Sequence, residues 1–327
     1  MTTKILGIGA ITSVGENWHK TIEALDGGKI GLHRDRKAIG VDGLPMTLAP
    51  VWPLHEIHNP LERLARLATV ALLDLADKGF DTTGMVGITL CLPAWVHQGR
   101  HGDSLRARLA ERWSLPTKAI MLSFADQTTI LDLVFAAQDS SSPQILLVAE
   151  TYLLAELLDS LTAADRVLSS YQPHGLVPSE AAVALYLGPT EGQRGYAITA
   201  LQRGVDEVDP RQPATLMGLV LANLARAVLF GSEMPQRVLC DLNGERWRSE
   251  EAAVVASRCA DRLPIEVLAD IEAPACQTGY SGVAVSGLLL ALACRGARSA
   301  PEMPGDSLVL ISHFDGTRIA ANVSGRG

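Results

Sequence analysis

The chain has 327 residues, of which 47% are hydrophobic and 20% charged, an ordinary globular balance without a signature of disorder. This length is enough for two domains or one large α/β unit with a sizeable core. The net charge of −8 argues against a general nucleic-acid binder or a protein that binds anionic membranes.

The cysteines indicate a reducing compartment. They are odd in number, scattered, and contain no CxxC pair, so the sequence predicts neither a disulfide framework nor a structural zinc site. No signal peptide is evident at the start, and no apolar run reaches the length that a bilayer requires. We therefore expect a cytoplasmic, soluble protein without a membrane span, a metal or a cofactor.

In the first half of the chain, short apolar strands alternate with longer amphipathic helices. The predicted strands are 4–11, 86–92, 118–124, 144–150 and 181–187, and the predicted helices are 17–25, 61–78, 104–113, one that starts at Gln127, and 153–161. The glycines after the first two helices are typical of helix ends.

The second half repeats this scheme. The predicted strands are 196–201, 237–242 and 265–270, the predicted helices are 214–229, 249–259 and 283–294, and a hairpin joins 307–312 to 318–323. Two similar βαβα halves predict an α/β protein with an internal duplication, in which helices are layered over central sheets. We place the N-terminal half at 1–190 and the C-terminal half at 191–327.

Residues 123–134, SFADQTTILDLV, predict a strand, a tight turn and a buried helix. A helix N-terminus has partial positive charge and free N–H groups, so such a turn is a common place for a nucleophile in α/β enzymes. Here the turn offers Gln127, whose amide cannot act as one. A purely structural interpretation has Asp126 as the helix N-cap and Gln127 as a residue that satisfies nearby backbone groups.

Several segments, in the correct order along the chain, resemble those of the β-ketoacyl synthases, or ketosynthases, of the thiolase superfamily. The segments are the opening 7–15 with the glycines at 27–31, GLVPSEAAVALYL at 175–187, TGYS at 278–281, and FDGT at 314–317. The resemblance implies a thiolase-like fold in αβαβα layers, and a dimer.

Family enzymes carry a cysteine in a TACSSSL pattern, which accepts an acyl chain as a thioester, and two histidines that assist decarboxylation of a malonyl group. The resemblance places Gln127 at the cysteine and Thr128 at the serine after it. The EAHGTGT motif falls on residues 241–246, which puts Asn243 at the first histidine, and Tyr280 takes the place of the second. All three catalytic positions are therefore substituted.

The resemblance leaves two hypotheses open. The first is a ketosynthase-like protein without catalysis that acts through binding or assembly, similar to a chain-length-factor subunit, as the partner of an active synthase or as an accessory or adaptor protein. Its expected partners are a second copy or a ketosynthase-like chain, with an acyl carrier protein as a further candidate. The alternative is residual acyl-thioester decarboxylase, hydrolase or acyltransferase chemistry, for which Asn243 and Tyr280 still offer hydrogen-bond donors.

Three further residues are candidates for the pocket. Cys276 lies four residues before Tyr280, where a displaced nucleophile is one interpretation and a buried structural thiol is the other. His313 precedes Phe314 in the loop that borders the active site in the family. His97 and His101 have helical spacing suited to a metal, but Gly99 between them favours a solvated loop or a helix start.

Overall fold

The computed structural model describes residues 3–83, 86–189, 194–207, 218–295 and 305–325. Its first half contains strands and helices in the order β1 (Thr3–Ile11), α1 (Trp18–Asp26), β2 (His33–Ile39), β3 (Pro45–Leu48), α2 (Pro60–Ala76), β4 (Gly87–Leu92), α3 (Ala94–Gln98), α4 (Gly102–Arg112), β5 (Ile120–Phe124), α5 (Thr129–Ala137), β6 (Gln144–Thr151), α6 (Ala155–Ala163) and β7 (Glu180–Pro189). Short 3₁₀ turns lie at Trp52–Leu54 and Thr117–Ala119.

The second half contains β8 (Ala197–Val205), α7 (Leu219–Leu229), β9 (Arg237–Cys240), α8 (Arg246–Arg258), α9 (Ile265–Ala269), α10 (Ala275–Thr278), α11 (Val283–Ala293), β10 (Asp306–Ser312) and β11 (Thr317–Ser324). The predicted hairpin is thus present as β10 and β11, which pair in antiparallel register from Asp306↔Ser324 to Ser312↔Arg318. The first four residues of the helix predicted over 214–229, and the predicted boundary at 190/191, lie outside the described residues.

Two sheets with matching strand order confirm the predicted fold class. The first has the order β1-β7-β6-β4-β5 and the second β8-β11-β10-β9. In both sheets the first two pairings are antiparallel and the third is parallel. The two halves are therefore pseudo-repeats, and β5 is the strand of the first sheet without a counterpart strand in the second.

The layers follow the apolar surfaces of the helices. α2 packs on the outer face of the first sheet, and α7 packs on the outer face of the second, beside α8. Between the sheets lie α5 and α11, and all eleven residues of α11 are buried. A helix that is apolar on every side is suited only to such an interior layer. The architecture is αβαβα.

The prediction of a strand over 265–270 is wrong, because residues 265–269 form the short helix α9. Pro264 precedes it, and the Pro264 carbonyl accepts hydrogen bonds from the N–H groups of Val267 and Leu268, at 3.1 Å each. The chain reaches the sheet only afterwards, where Glu272 bridges to Leu239 of β9. A short, mostly apolar segment fits a strand and a helical turn equally well, and the proline decided between them.

Three elements were not predicted: the β2–β3 hairpin and the short helices α3 and α10. No helix within the described residues combines the length and the apolar composition needed to cross a membrane.

Candidate functional site

The turn between β5 and α5 carries Gln127, and Asp126 shapes that turn. The Asp126 carboxylate accepts the N–H groups of Thr128 and Thr129, at 2.8 and 2.9 Å, as well as their hydroxyls, at 2.6 and 2.9 Å. The Asp126 carboxylate therefore binds N–H groups at the helix start, but regular helix begins at Thr129, two residues later than expected, and Thr128 holds the N-cap position in place of Asp126. Thr128 is completely buried.

Gln127 is buried, with 2% of its surface exposed, and it binds a distant part of the chain. Its side-chain Nε2 donates to the backbone carbonyl of Gly282, at 3.2 Å, and the backbone carbonyl of Gln127 accepts a hydrogen bond from the Ser286 hydroxyl, at 2.5 Å. The side chain thus joins the start of α5 to the start of α11, instead of satisfying its local backbone as the purely structural interpretation expected. Its Oε1 has no hydrogen-bond partner among the described residues.

Tyr280 lies just before α11 and is 4% exposed. Its backbone N–H donates to the Val177 carbonyl, at 2.7 Å, and its ring stacks on Tyr152 with centroids 5.7 Å apart. Burial raises the pKa of the Tyr280 hydroxyl, with nearby Arg248 and Arg166 opposing that rise. The phenol therefore stays neutral at physiological pH.

Asn243 is buried by a pairing with Glu245 that uses both ends of its amide. The Asn243 Nδ2 donates to a carboxylate oxygen of Glu245, at 2.9 Å, and the Glu245 N–H donates to the Asn243 Oδ1, at 3.0 Å. Asn243 is 4% exposed. One of the two N–H donors of this amide is therefore held by Glu245 and is not free to bind a substrate carbonyl.

Two arginines, the buried Arg248 and the half-buried Arg166, connect Asn243 to Tyr280. Arg248 pairs with Asp241 and with Glu245, the latter at 3.4 Å, and its guanidinium lies over the Tyr280 ring, 5.6 Å from the centroid. Arg166 binds Glu245 through two hydrogen bonds of 2.7 and 3.0 Å. We call these four residues, Asp241, Glu245, Arg248 and Arg166, the buried ion cluster.

The buried ion cluster holds the carboxylate of Glu245 ionised. Burial pushes the pKa of Glu245 up, but the hydrogen bond of Arg166 and the charges of both arginines outweigh it, so the pKa lies below its ordinary value. Arg248 is 2% exposed and stacks on Trp247 at 4.4 Å. Charge in this region is thus paired internally, which does not provide a proton-transfer group for a substrate.

Glu150 at the end of β6 is an acid near the turn whose pKa is strongly raised. It is 2% exposed, and it accepts hydrogen bonds from Trp95 Nε1, at 3.2 Å, and from the Val283 N–H, at 3.4 Å. No ion pair of Glu150 occurs in the described part of the chain, and burial raises its pKa to about 8. A side chain at Gly282 would come within 2.7 Å of its carboxyl oxygen, which explains the glycine there.

The remaining candidates lie at the edge of this region. Cys276 is exposed as a residue, but its thiol contacts the Leu242 carbonyl at 3.7 Å, and partial burial raises its pKa, which disfavours the thiolate that a nucleophile requires. Phe314 packs beneath Arg166, at 4.3 Å. His313 lies 2.9 Å from Asp315.

Two groups of side chains are candidates for metal ligands: His97 with His101, and His313 with two aspartates. His97 lies in α3, with its ring 4.6 Å from that of Phe124, and His101 immediately precedes α4, so the segment is helical on both sides of a break. His313 and Asp315 lie with Asp126 such that one ligand atom from each falls within 4.8 Å of the others. The Asp126 carboxylate is already used by the threonines, so the grouping is explained by its role at the helix start.

The three positions that the resemblance singled out thus converge. Gln127 binds Gly282, which is two residues from Tyr280, and Tyr280 faces Arg248, which shares Glu245 with Asn243. Sequence reasoning missed Glu150 and the arginines of the ion cluster. The only signals for them are an isolated glutamate at the end of an apolar strand and the i, i+3 spacing of Glu245 and Arg248.

Solved ketosynthases share this whole fold. The chain matches the ishigamide ketosynthase/chain length factor with a TM-score of 0.70 and 16% identity, over 99% of both chains. It also matches a chain from the structure of a type II polyketide synthase acyl carrier protein in complex with its ketosynthase bound to the hexaketide. The TM-score is 0.70 and the identity 13%, and 99% of both chains is covered. For a ketosynthase in complex with its chain length factor from Xenorhabdus doucetiae, the values are 0.66, 14%, and 99% and 98% of the two chains.

No protein-family model matches the chain, and no curated protein sequence does. At these identities the likeness establishes the fold, which is the thiolase-like ketosynthase fold over the full length of the chain.

Proposed function

We propose that this protein is a ketosynthase-like partner subunit that acts through binding and assembly and carries out no acyl transfer. The observation that carries the proposal is Gln127, a 2% exposed amide on the turn where the fold offers a helix N-terminus to a nucleophile. An amide cannot form a thioester, and its Nε2 is already used by Gly282. Asn243 and Tyr280 support the same conclusion. The amide of Asn243 is hydrogen-bonded to Glu245, and the ring of Tyr280 is stacked on Tyr152.

A free sheet edge next to this turn supports the assembly role. Within the described residues β5 pairs only with β4, in parallel register from Ile88↔Ile120 to Leu92↔Phe124. The strand also has exposed apolar side chains, Met121 at 56% and Phe124 at 38%. An unpaired apolar edge is a template for a strand of another chain, so we propose that β5 pairs with a second thiolase-like chain. Ketosynthase/chain length factor complexes among the similar structures are in keeping with this.

Substitution of Met121 tests this pairing. We expect the purified chain to sediment as a dimer, at twice the 34.8 kDa chain mass, and Met121→Glu to sediment as a monomer because it places a charge on the shared edge. Analytical ultracentrifugation measures both. Ile265→Glu, which replaces another exposed apolar side chain (77%), on α9 instead of β5, is the matched control and should stay dimeric. A monomeric wild type, or a dimer that Met121→Glu leaves intact, would rule out pairing of two copies through β5.

A further inference from the structure

The strand β2 is positively charged, although the protein as a whole is acidic. Its sequence is HRDRKAI, with three cations, Arg34, Arg36 and Lys37, against the single carboxylate of Asp35. All three cations are exposed, and none has an ion pair within the part of the chain that the structure describes. Exposed arginines elsewhere, such as Arg226, do pair with carboxylates. In a chain of net charge −8 this is a local inversion of charge.

Exposed apolar groups lie at both ends of these cations. Before them, His33 packs edge-on against Trp52, with ring centroids 4.7 Å apart, and Trp52 is 49% exposed. After them come Ile39, Val41 and Leu44, which are 57%, 64% and 51% exposed. The strand thus presents a cationic centre between two apolar ends, which is the pattern of a binding surface more than of a solvated loop.

The second apolar end opens into a cleft of about 600 Å³. Val41, Leu44 and the 75% exposed Tyr171 line it, together with Arg34. The carboxylate of Asp42 also lines the cleft, but it accepts the N–H groups of Ser170 and Leu44, which fixes the hairpin tip to the neighbouring loop. The cleft therefore has a held shape and room for an apolar side chain.

The backbone of β2 has a free edge. The strand pairs with β3 at His33↔Leu48, Arg34↔Thr47 and Asp35↔Met46 and again at Ile39↔Pro45, with an irregularity between Asp35 and Ile39, and it pairs with no other strand of the described chain. Charged side chains on an edge strand commonly serve only to prevent aggregation. That role needs one charge of either sign, whereas here three cations share one sign and the Asp35 carboxylate is turned to the Lys37 N–H, at 2.8 Å. The arrangement attracts negative charge as well as blocking apolar strands.

We propose that the outer edge of β2 binds an extended acidic segment of a partner protein by strand addition. Acidic side chains of that segment lie opposite Arg34, Arg36 and Lys37, and apolar side chains at its two ends contact Trp52 and enter the cleft at Val41. A segment paired along the regular part of β2, His33–Asp35, spans roughly 10 Å, at about 3.3 Å per residue. This binding does not depend on whether the site at Gln127 has catalytic activity.

A labelled peptide tests the proposal directly. The probe is a fluorescein-labelled nine-residue peptide of alternating glutamate and valine with a leucine at each end, and anisotropy reports its binding to the full chain. We expect saturable binding that weakens between about 50 and about 300 mM salt, because exposed charges are screened. Replacing Arg34, Arg36 and Lys37 with glutamate should weaken binding at least tenfold.

Matched controls separate strand addition from general attraction. A variant with Lys118, Arg258 and Arg262 changed to glutamate has the same net charge, and it should bind as the wild type does. The same peptide N-methylated at alternate residues keeps its charge but cannot pair, and it should not bind. Equal binding by the methylated peptide, equal loss in the control variant, or equal affinity for a single-stranded oligonucleotide would overturn the proposal.

Discussion

We expect Arg248→Ala to lower the free energy of unfolding by about 3–5 kcal/mol, among the largest effects of any single substitution in this chain. The guanidinium is 2% exposed and pairs with Asp241 and Glu245. Its removal leaves buried carboxylate charge with less compensation and opens a space between the rings of Trp247 and Tyr280. Urea unfolding followed by circular dichroism measures the loss.

Arg246→Ala is the matched control for Arg248→Ala. Arg246 lies two residues earlier on the same helix, α8, but its side chain is 70% exposed and pairs with Glu250 in water. Exposed pairs of this kind contribute about 0–1 kcal/mol. If the two variants lose similar stability, the buried ion cluster does not stabilise this region and the account of the silent site loses its structural basis.

Glu150→Gln should make the protein more stable at neutral and alkaline pH. The pKa of the Glu150 carboxyl is about 8, against an ordinary value of 4.5, because burial disfavours its charged form. The folded state therefore binds the proton more tightly than the unfolded chain does. The stability that this proton provides is complete below about pH 4.5 and is lost as the pH rises through 8, by about 3 kcal/mol at pH 7.

Glutamine keeps the shape of Glu150 and stays neutral, so the variant should show no such loss. Unfolding at pH 5, 7 and 8.5 measures this, with an advantage for Glu150→Gln that grows with pH. Glu156→Gln, at an exposed position on α6, is the control and should follow the wild type at every pH. A pH-independent difference between Glu150→Gln and the wild type would show that the carboxyl is ionised in the folded protein.

The sequence predicts the parts of the fold that have a strong apolar pattern, whether periodic or continuous. α2 and α11 and the strands of both sheets have strong patterns, and they form where expected. The strand β2 has no such pattern, because five of its seven residues are exposed, so only its pairing with β3 makes it a strand. The segment Ile265–Ala269 was misassigned because its length fits either state.

The site divides in the same way. Its positions, Gln127, Asn243 and Tyr280, can be located from motif order along the chain. Their partners cannot, because each contact joins distant residues: Gln127 and Gly282 are 155 residues apart, and Arg166 and Glu245 are 79 apart. Whether a substituted catalytic position is free or occupied depends on those contacts, which no local pattern reveals.

The most direct test of the central claim is release of free thiol and CO₂ from malonyl- and acyl-thioesters by the purified protein. If Gln127, Asn243 and Tyr280 form a site without catalytic activity, release should not exceed that in buffer alone. Release that falls on Asn243→Ala or Tyr280→Phe, in variants that remain folded, would contradict it and assign residual thioester chemistry to this site.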